Sequence, residues 1–215
     1  MKQVDATRCS TYPACAMFSS IVHTILLPVR LVFRHETVNK LGLRSMRDER
    51  NNMVKKHAKG RLLDIGCGSN QLVRSYGHES VGIDIYDFGG GALLVKDSAN
   101  LPFDDASFDT VSFVASLNHI PQREATLREA HRLLQPGGRV LITMLSPLIG
   151  IIRHRLAWWD EDQHERGMKE GEAMGLSPSF ITEIMEKQGF KLQRRKRFAL
   201  GLNNLYIFER RNSSE

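Results

Sequence analysis

Cysteine is scarce in this chain. Three cysteines in 215 residues (Cys9, Cys15 and Cys67) are too few and too scattered for a disulfide framework. No Cys-x-x-Cys pair suggests a zinc site, and an acidic and histidine cluster at Asp160, Asp162, His164 and Glu165 matches no common ligand spacing, so no metal is expected. The scarcity points to a reducing compartment and a cytoplasmic protein. Clean apolar runs are lacking too. Ala14 to Phe33 has the length of a bilayer span, but Ser19, Ser20, His23, Thr24, Pro28 and Arg30 interrupt it. The run starts late for a signal peptide and has no clean cleavage signature. It can be a helix packed on the domain, a membrane-surface or gating helix, or an anchor. Internal repeats and low-complexity tracts are absent. With 41% apolar and 25% charged residues, the chain is neither disordered, collagen-like nor polytopic. Its length suits one compact domain with an appended segment.

The formal net charge is +6, and it is unevenly spread. Residues 30–61 carry ten Lys or Arg against Glu36, Asp48 and Glu49, a local balance of +7. Residues 81–130 carry eight acidic residues against three basic ones, a balance of −5. The stretch 191–197 adds five basic residues and no acid. Such segments suit a polyanion, an anionic membrane surface, or simple solubility.

From Arg61 onward the pattern is that of an α/β domain. Short buried-type strands are expected at Arg61–Ile65, Ser80–Ile85, Leu93–Val95, Phe108–Val114 and Arg139–Leu145. A helix carries Leu127, Ala130, His131 and Leu134 on one face, and Pro136-Gly137-Gly138 stops it before the fifth strand. Residues 36–58 look helical and basic. Ser177-Pro178 opens a late helix that Gly189 ends, and two closing strands follow near 190–199 and 204–210. Alternating strands and crossovers predict a largely parallel sheet. The segments expected are an N-terminal helical and basic part (1–60), the core (61–146), an insertion (147–176) and a closing helix and hairpin (177–215).

The strongest chemical signal is Leu62-Leu-Asp-Ile-Gly-Cys-Gly-Ser-Asn70. A buried strand runs into a glycine turn, where the backbone can approach a ligand without a Cβ in the way. Asp84 ends the next strand about twenty positions on, where a carboxylate can take both hydroxyls of a ribose.

With these motifs the chain resembles the class I S-adenosylmethionine-dependent methyltransferases, of the small-molecule group that includes quinone-biosynthesis enzymes. The matching stretches are Leu62–Asn70, Val81–Ile85, Lys96-Asp97-Ser98, Leu101–Val111 and Leu133–Ile142, in that order. The resemblance implies a Rossmann-like, seven-stranded, mostly parallel sheet with an antiparallel last strand, and S-adenosylmethionine as cofactor. It implies that Gly66 and Gly68, with Cys67 between them, pass under the methionine part. Asp64 would support the amino group, Asp84 the ribose, with Ile85 beside it, and Asp97 and Ser98 the adenine. Asn118 and His119 would lie near the sulfonium and the methyl acceptor.

Three departures from the family pattern stand out. Asn70 replaces a third glycine, and Asn tolerates the left-handed conformation. The next helix is squeezed into Gln71–Tyr76. Between Asp84 and Asp97 there is too little chain for a crossover helix plus a strand, so Gly89-Gly90-Gly91 should form a loop and open the adenine side.

A sulfonium methyl is already activated, so in-line transfer needs mostly positioning; an oxygen or carbon nucleophile still wants a base. His119 is the first candidate and His164, in the insertion, the second. His131 reads as structural. The insertion, with Trp158 and Trp159 and a charge run from Asp160 to Glu172, reads as a lid whose Asp160, His164, Arg166 and Glu172 could orient a polar group. The acceptor expected is a small molecule, hydrophobic or lipid-linked, with peripheral membrane contact through 14–61. A nucleic-acid substrate is the alternative, but Asn118-His119-Ile120-Pro121 departs from the Asn/Asp-Pro-Pro-Tyr/Phe of base N-methylation, and no Pro-Cys nucleophile is present. A non-catalytic cofactor-binding protein is a further alternative. A dehydrogenase fits the later motifs poorly. Oligomeric state is open.

Overall fold

The computed structural model describes residues 26, 35–145, 171–173 and 175–211. The expected apolar segment 14–33, all but Leu26, lies outside them, as do His154, Trp158, Trp159 and His164. The order of elements is α1 (His35–Lys40), α2 (Met46–Lys55), β1 (Leu62–Ile65), α3 (Gln71–Tyr76), β2 (Val81–Asp84) and β3 (Leu93–Leu94). Then come β4 (Phe108–Val114), a 3-10 turn (Leu117–His119), α4 (Arg123–Leu133), β5 (Leu134–Leu145), α5 (Pro178–Lys187), β6 (Phe190–Phe198) and β7 (Asn203–Arg210).

The strands form one seven-stranded sheet in the order β3-β2-β1-β4-β5-β7-β6. The first five are parallel, and β7 pairs antiparallel with both β5 and β6. That is the expected fold. Order reverses at β1, so the carboxyl ends of β1 and β4 flank a crevice where ligands of open α/β sheets sit.

Alternation along the strands sends side chains to two apolar layers. On one face Leu63, Val111, Phe113, Ile142 and Phe208 pack against α4 and α5 through Leu127, Leu133, Ile181 and Met185. On the other, Leu62, Leu141, Leu205 and Ile207 meet Val54 of α2 and Leu72 of α3. Burying each such side chain contributes about 1.5–3 kcal/mol relative to exposure.

The local starts have local causes. Ser45 caps α2: its hydroxyl accepts from Asp48 N at 3.2 Å, and Asp48 Oδ2 accepts from Ser45 N at 3.1 Å. Ser177 caps α5 by accepting from Phe180 N at 3.2 Å.

Two expectations change in detail. The helical stretch 36–58 is two helices, separated at Leu41–Ser45. Pro136-Gly137-Gly138 lies inside β5 rather than before it, as an irregularity: Phe108 pairs with Leu134, but Thr110 pairs with Arg139. The extra residues leave the ladder there, where a proline cannot donate to it.

The N-terminal cations partly turn inward. Arg47 Nη1 donates to Ser69 Oγ at 3.1 Å, and Arg50, itself buried, donates from Nε to Asn203 Oδ1 at 3.2 Å. Lys55 Nζ reaches Ser75 Oγ at 3.3 Å. Three of the ten cations in 30–61 therefore fasten α2 to the glycine loop, to the start of β7 and to α3.

Candidate cofactor and acceptor site

β1 delivers its chain into Gly66-Cys67-Gly68. Gly66 N and Cys67 N both donate to Ile83 O, at 2.9 and 3.1 Å, which folds the turn over the end of β2. Gly66 has φ 73°, and a Cβ there would stand 2.6 Å from Ser116 Cβ. Only glycine fits, because the chain leaving β4 presses on the loop from that side. At Gly68 a Cβ would meet nothing within 4 Å, so the loop's far side is open.

Asp84, at the carboxyl end of β2, is the joint of the site. Its Oδ2 accepts from Gly68 N at 2.8 Å and its Oδ1 from Tyr86 N at 3.1 Å. The carboxylate is thus fixed by two backbone donors, and each oxygen keeps acceptor capacity for a ligand. The site residues expected on these two strands come together: Asp64, Gly66, Cys67, Gly68 and Asp84 share one edge. Ile85 follows and is 45% exposed beside it.

Asp64 is fully buried under the loop. Ser112 Oγ donates to its Oδ1 at 2.6 Å. Burial and, more weakly, the nearby Asp84 push its carboxyl up to about 7, against the Ser112 bond. The same burial and the two carboxylates hold the Cys67 thiol well above its usual range, so it stays a thiol.

No helix forms between Asp84 and Leu93, as the shortness of that stretch predicts. The loop that replaces it lies on the glycine turn: a Cβ at Gly90 would stand 2.2 Å from Ser69 O. Asn70, at φ 55°, donates from Nδ2 to Gly91 O at 3.1 Å. One residue thus tolerates the left-handed turn and ties two glycine loops together, a link that nothing in the sequence pattern announces. Without a crossover helix, Ile85, Phe88, Leu93 and Leu94 are left exposed on this side.

Asp97 and Ser98 follow β3. Asp97 Oδ1 accepts from Ala99 N at 2.8 Å, and Ser98 Oγ lies 2.8 Å from Thr126 Oγ1 on α4. The loop beyond them is pinned by a network. Leu101 N donates to Glu129 Oε1 at 2.8 Å, and Arg132 bonds Glu129, Asp105 and the carbonyls of Phe103 and Leu101. The Arg132 bond holds the Glu129 carboxyl below its usual range.

At the exit of β4, Ser116 Oγ donates to Ile65 O at 2.6 Å, so the 3-10 turn bearing Asn118 and His119 starts against the glycine loop. Asn118 is buried, and it pairs with Ala173. Its Nδ2 donates to Ala173 O at 2.9 Å, and Ala173 N donates to Asn118 O at 2.9 Å. Arg123 Nε donates to Leu117 O at 3.0 Å, and its Nη2 to Asn118 O and Gly171 O at 2.8 and 2.7 Å. Burial lowers the Arg123 guanidinium, and the Glu172 charge opposes that. Residues 171–173, the far end of the expected insertion, therefore dock on the β4 exit. Glu172 comes within 3.4 Å of His119 Nδ1. His131 is elsewhere: its ring lies edge-on to Phe190 at 5.4 Å, and burial lowers its pKa. Among the described residues there is no group of three His, Cys, Asp or Glu able to hold a metal, and no helix is long and apolar enough to cross a membrane.

Residues 35–194 match the family model described as a methyltransferase domain. Over 109 residues the chain is 36% identical to the 27-O-demethylrifamycin SV methyltransferase of Amycolatopsis mediterranei, covering 42% of this chain and 40% of that one. Over 126 residues it is 31% identical to the demethylmenaquinone methyltransferase of Staphylococcus saprophyticus, covering 50% and 51%. The chain thus spans about half the length, or less, of these curated relatives. The S-adenosylmethionine-dependent methyltransferase of Mesorhizobium loti shares the fold, with a TM-score of 0.57 at 15% identity over 75% of this chain and 96% of that one. By its matched domain, its strand order and its relatives, the chain belongs to the S-adenosylmethionine-dependent methyltransferase-domain family.

Proposed function

We propose that this protein transfers the methyl group of S-adenosylmethionine to a small, hydrophobic, hydroxyl-bearing acceptor of the quinol type. The observation that carries the reading is the joint between Asp84 and Gly68, a fixed carboxylate beside an open glycine turn. Two relatives named for a rifamycin and a menaquinone methyl transfer support the acceptor class.

The residues fit the cofactor. Gly66 and Gly68 leave backbone exposed under its methionine part, and Asp84 offers both oxygens to the ribose hydroxyls. Asp64 lies beneath the loop, where a cationic amino group would draw it to the ionised form. Ile85 supplies an apolar wall, and Asp97 and Ser98 border the adenine side. When bound, S-adenosylmethionine supplies an activated methyl, so the protein's task is alignment and proton removal. His119, next to Asn118 on the turn that touches the glycine loop, takes the acceptor's proton. His164, the second candidate, lies outside the described residues.

A membrane-held acceptor agrees with one feature of the site edge. The β6–β7 hairpin turns at the carboxyl end of β5, since Leu145 pairs with Asn203. Its tip presents Leu200, 63% exposed, with Arg197, also exposed, near the end of β6. Flotation with vesicles of neutral and of anionic lipid tests this; equal recovery on both removes the contact.

The test of the function is methyl transfer from radiolabelled S-adenosylmethionine to a panel holding a demethylmenaquinol analogue, a catechol and a short RNA. Label in a quinol or catechol product is expected. Label in RNA alone would replace the reading with nucleic-acid methylation.

A further inference from the structure

Glu172 is a carboxylate with a 2% exposed side chain, and a buried charge persists only where partners compensate it. Its partners include the Nδ1 of His119 at 3.4 Å and the charge of Arg123. The residues on either side of it are clamped. Gly171 O accepts from Arg123, and Ala173 exchanges two hydrogen bonds with Asn118, the residue before His119. The clamp and the histidine thus belong to the same turn, and the backbone that carries Glu172 cannot leave without opening three hydrogen bonds. His119 itself is not sealed in: its side chain is 31% exposed.

We propose that Glu172 is the positioning residue of His119, holding the proton on Nδ1 so that Nε2 presents its lone pair to the acceptor. This rests on the reading of His119 as the base. An imidazole that donates from Nδ1 to a carboxylate is fixed in one tautomer and one ring orientation. In the reaction the acceptor's hydroxyl proton passes to His119 Nε2. For a catechol the oxygen lone pair forms the bond to the methyl carbon; for a demethylmenaquinol the ionised hydroxyl drives the same bond from the adjacent ring carbon, whose proton then leaves to water. The electron pair of the broken carbon–sulfur bond stays on sulfur, leaving a neutral thioether. The imidazolium formed is then stabilised by Glu172. The proton later leaves to water, and the ring returns to the same tautomer. Glu172 has no contact with the reacting atoms in this scheme, so it sets the tautomer and not the affinity for the donor.

The experiment is long-range 1H–15N correlation on the full chain with 15N-histidine, at a pH where imidazole is neutral. In the unmodified protein His119 is expected as the Nδ1–H tautomer. Glu172→Leu is expected to make Nε2–H the major form, and Glu172→Gln, whose amide oxygen still accepts, to keep Nδ1–H. If the leucine variant does not fold, the unmodified protein and the glutamine variant still decide. An Nε2–H tautomer in the unmodified protein, or an unchanged tautomer in Glu172→Leu, overturns the proposal. S-adenosylhomocysteine binding, measured on the same samples, is expected within about twofold in all three. Its absence from the unmodified protein would count against the methyltransferase reading and leave the tautomer result standing.

Discussion

The two halves of the site are built differently. Around β1 and β2, Asp64, Gly66, Gly68, Asn70 and Asp84 lie within about twenty residues of one another, and backbone donors fix the Asp84 carboxylate at their centre. At the β4 exit, Asn118, His119 and Arg123 meet Gly171, Glu172 and Ala173 from about fifty residues away. Contacts between near neighbours in sequence close short loops, whereas those across about fifty residues carry a larger loop-closure entropy. The first half therefore should fail as a cofactor cradle when broken, and the second as a proton-handling turn. Four perturbations sharpen that division.

The largest effect is expected from Asp84→Ala. It leaves Gly68 N and Tyr86 N without their acceptor and removes the carboxylate meant for the ribose. Affinity for S-adenosylhomocysteine should fall more than about 100-fold, an effect of about 3 kcal/mol or more. The His119 tautomer should not change.

Asp64→Asn comes next, read in the absence of cofactor. The folded carboxyl is raised to about 7 from an ordinary 3.8. Between those values the native protein holds a proton that the unfolded chain has lost. Its stability relative to the unfolded chain thus falls as pH rises through that window, and the loss is complete above about 7. Three units correspond to about 4 kcal/mol. Thermal melts should show Asp64→Asn gaining on the unmodified protein by several degrees more at pH 8 than at pH 5. A gap that does not vary with pH would contradict the buried-carboxyl account.

Gly90→Ala puts a methyl 2.2 Å from a backbone oxygen, which cannot swing away like a side chain. A loss of about 1–3 kcal/mol is expected, with weaker cofactor affinity, since Ser69 belongs to the glycine turn. Gly91→Ala, at φ 70° with nothing within 4 Å, separates strain from collision.

Arg123→Met is expected to be mildest. It removes three hydrogen bonds to carbonyls, two of them local and one to Gly171. Amide exchange at Gly171–Ala173 should accelerate about tenfold, with cofactor affinity unchanged. Unchanged exchange would show that the segment is held by other contacts.

What the sequence disclosed follows the same division. The glycine turn, Asp84 and the missing crossover helix were legible because hydrophobic runs and glycine spacing are local properties. The seven-stranded, mostly parallel sheet and its antiparallel last strand followed from the family resemblance, while the strand order came from the structure. The Asn70–Gly91 tie and the Gly90 contact were not legible, because they depend on how two loops stack. Glu172 was picked out within a charge run, but its meeting with His119 depends on a docking that no periodicity encodes. The break at 41–45 goes unanticipated although Ser45-x-x-Asp48 has the local spacing of a helix cap, because the basic run reads as one continuous face.

The most direct test is isothermal titration calorimetry of the full chain with S-adenosylhomocysteine and, separately, with NADH. The account predicts one saturable site for S-adenosylhomocysteine, lost in Asp84→Ala, and no heat with NADH. Saturable NADH binding, or S-adenosylhomocysteine binding undiminished by Asp84→Ala, would contradict it.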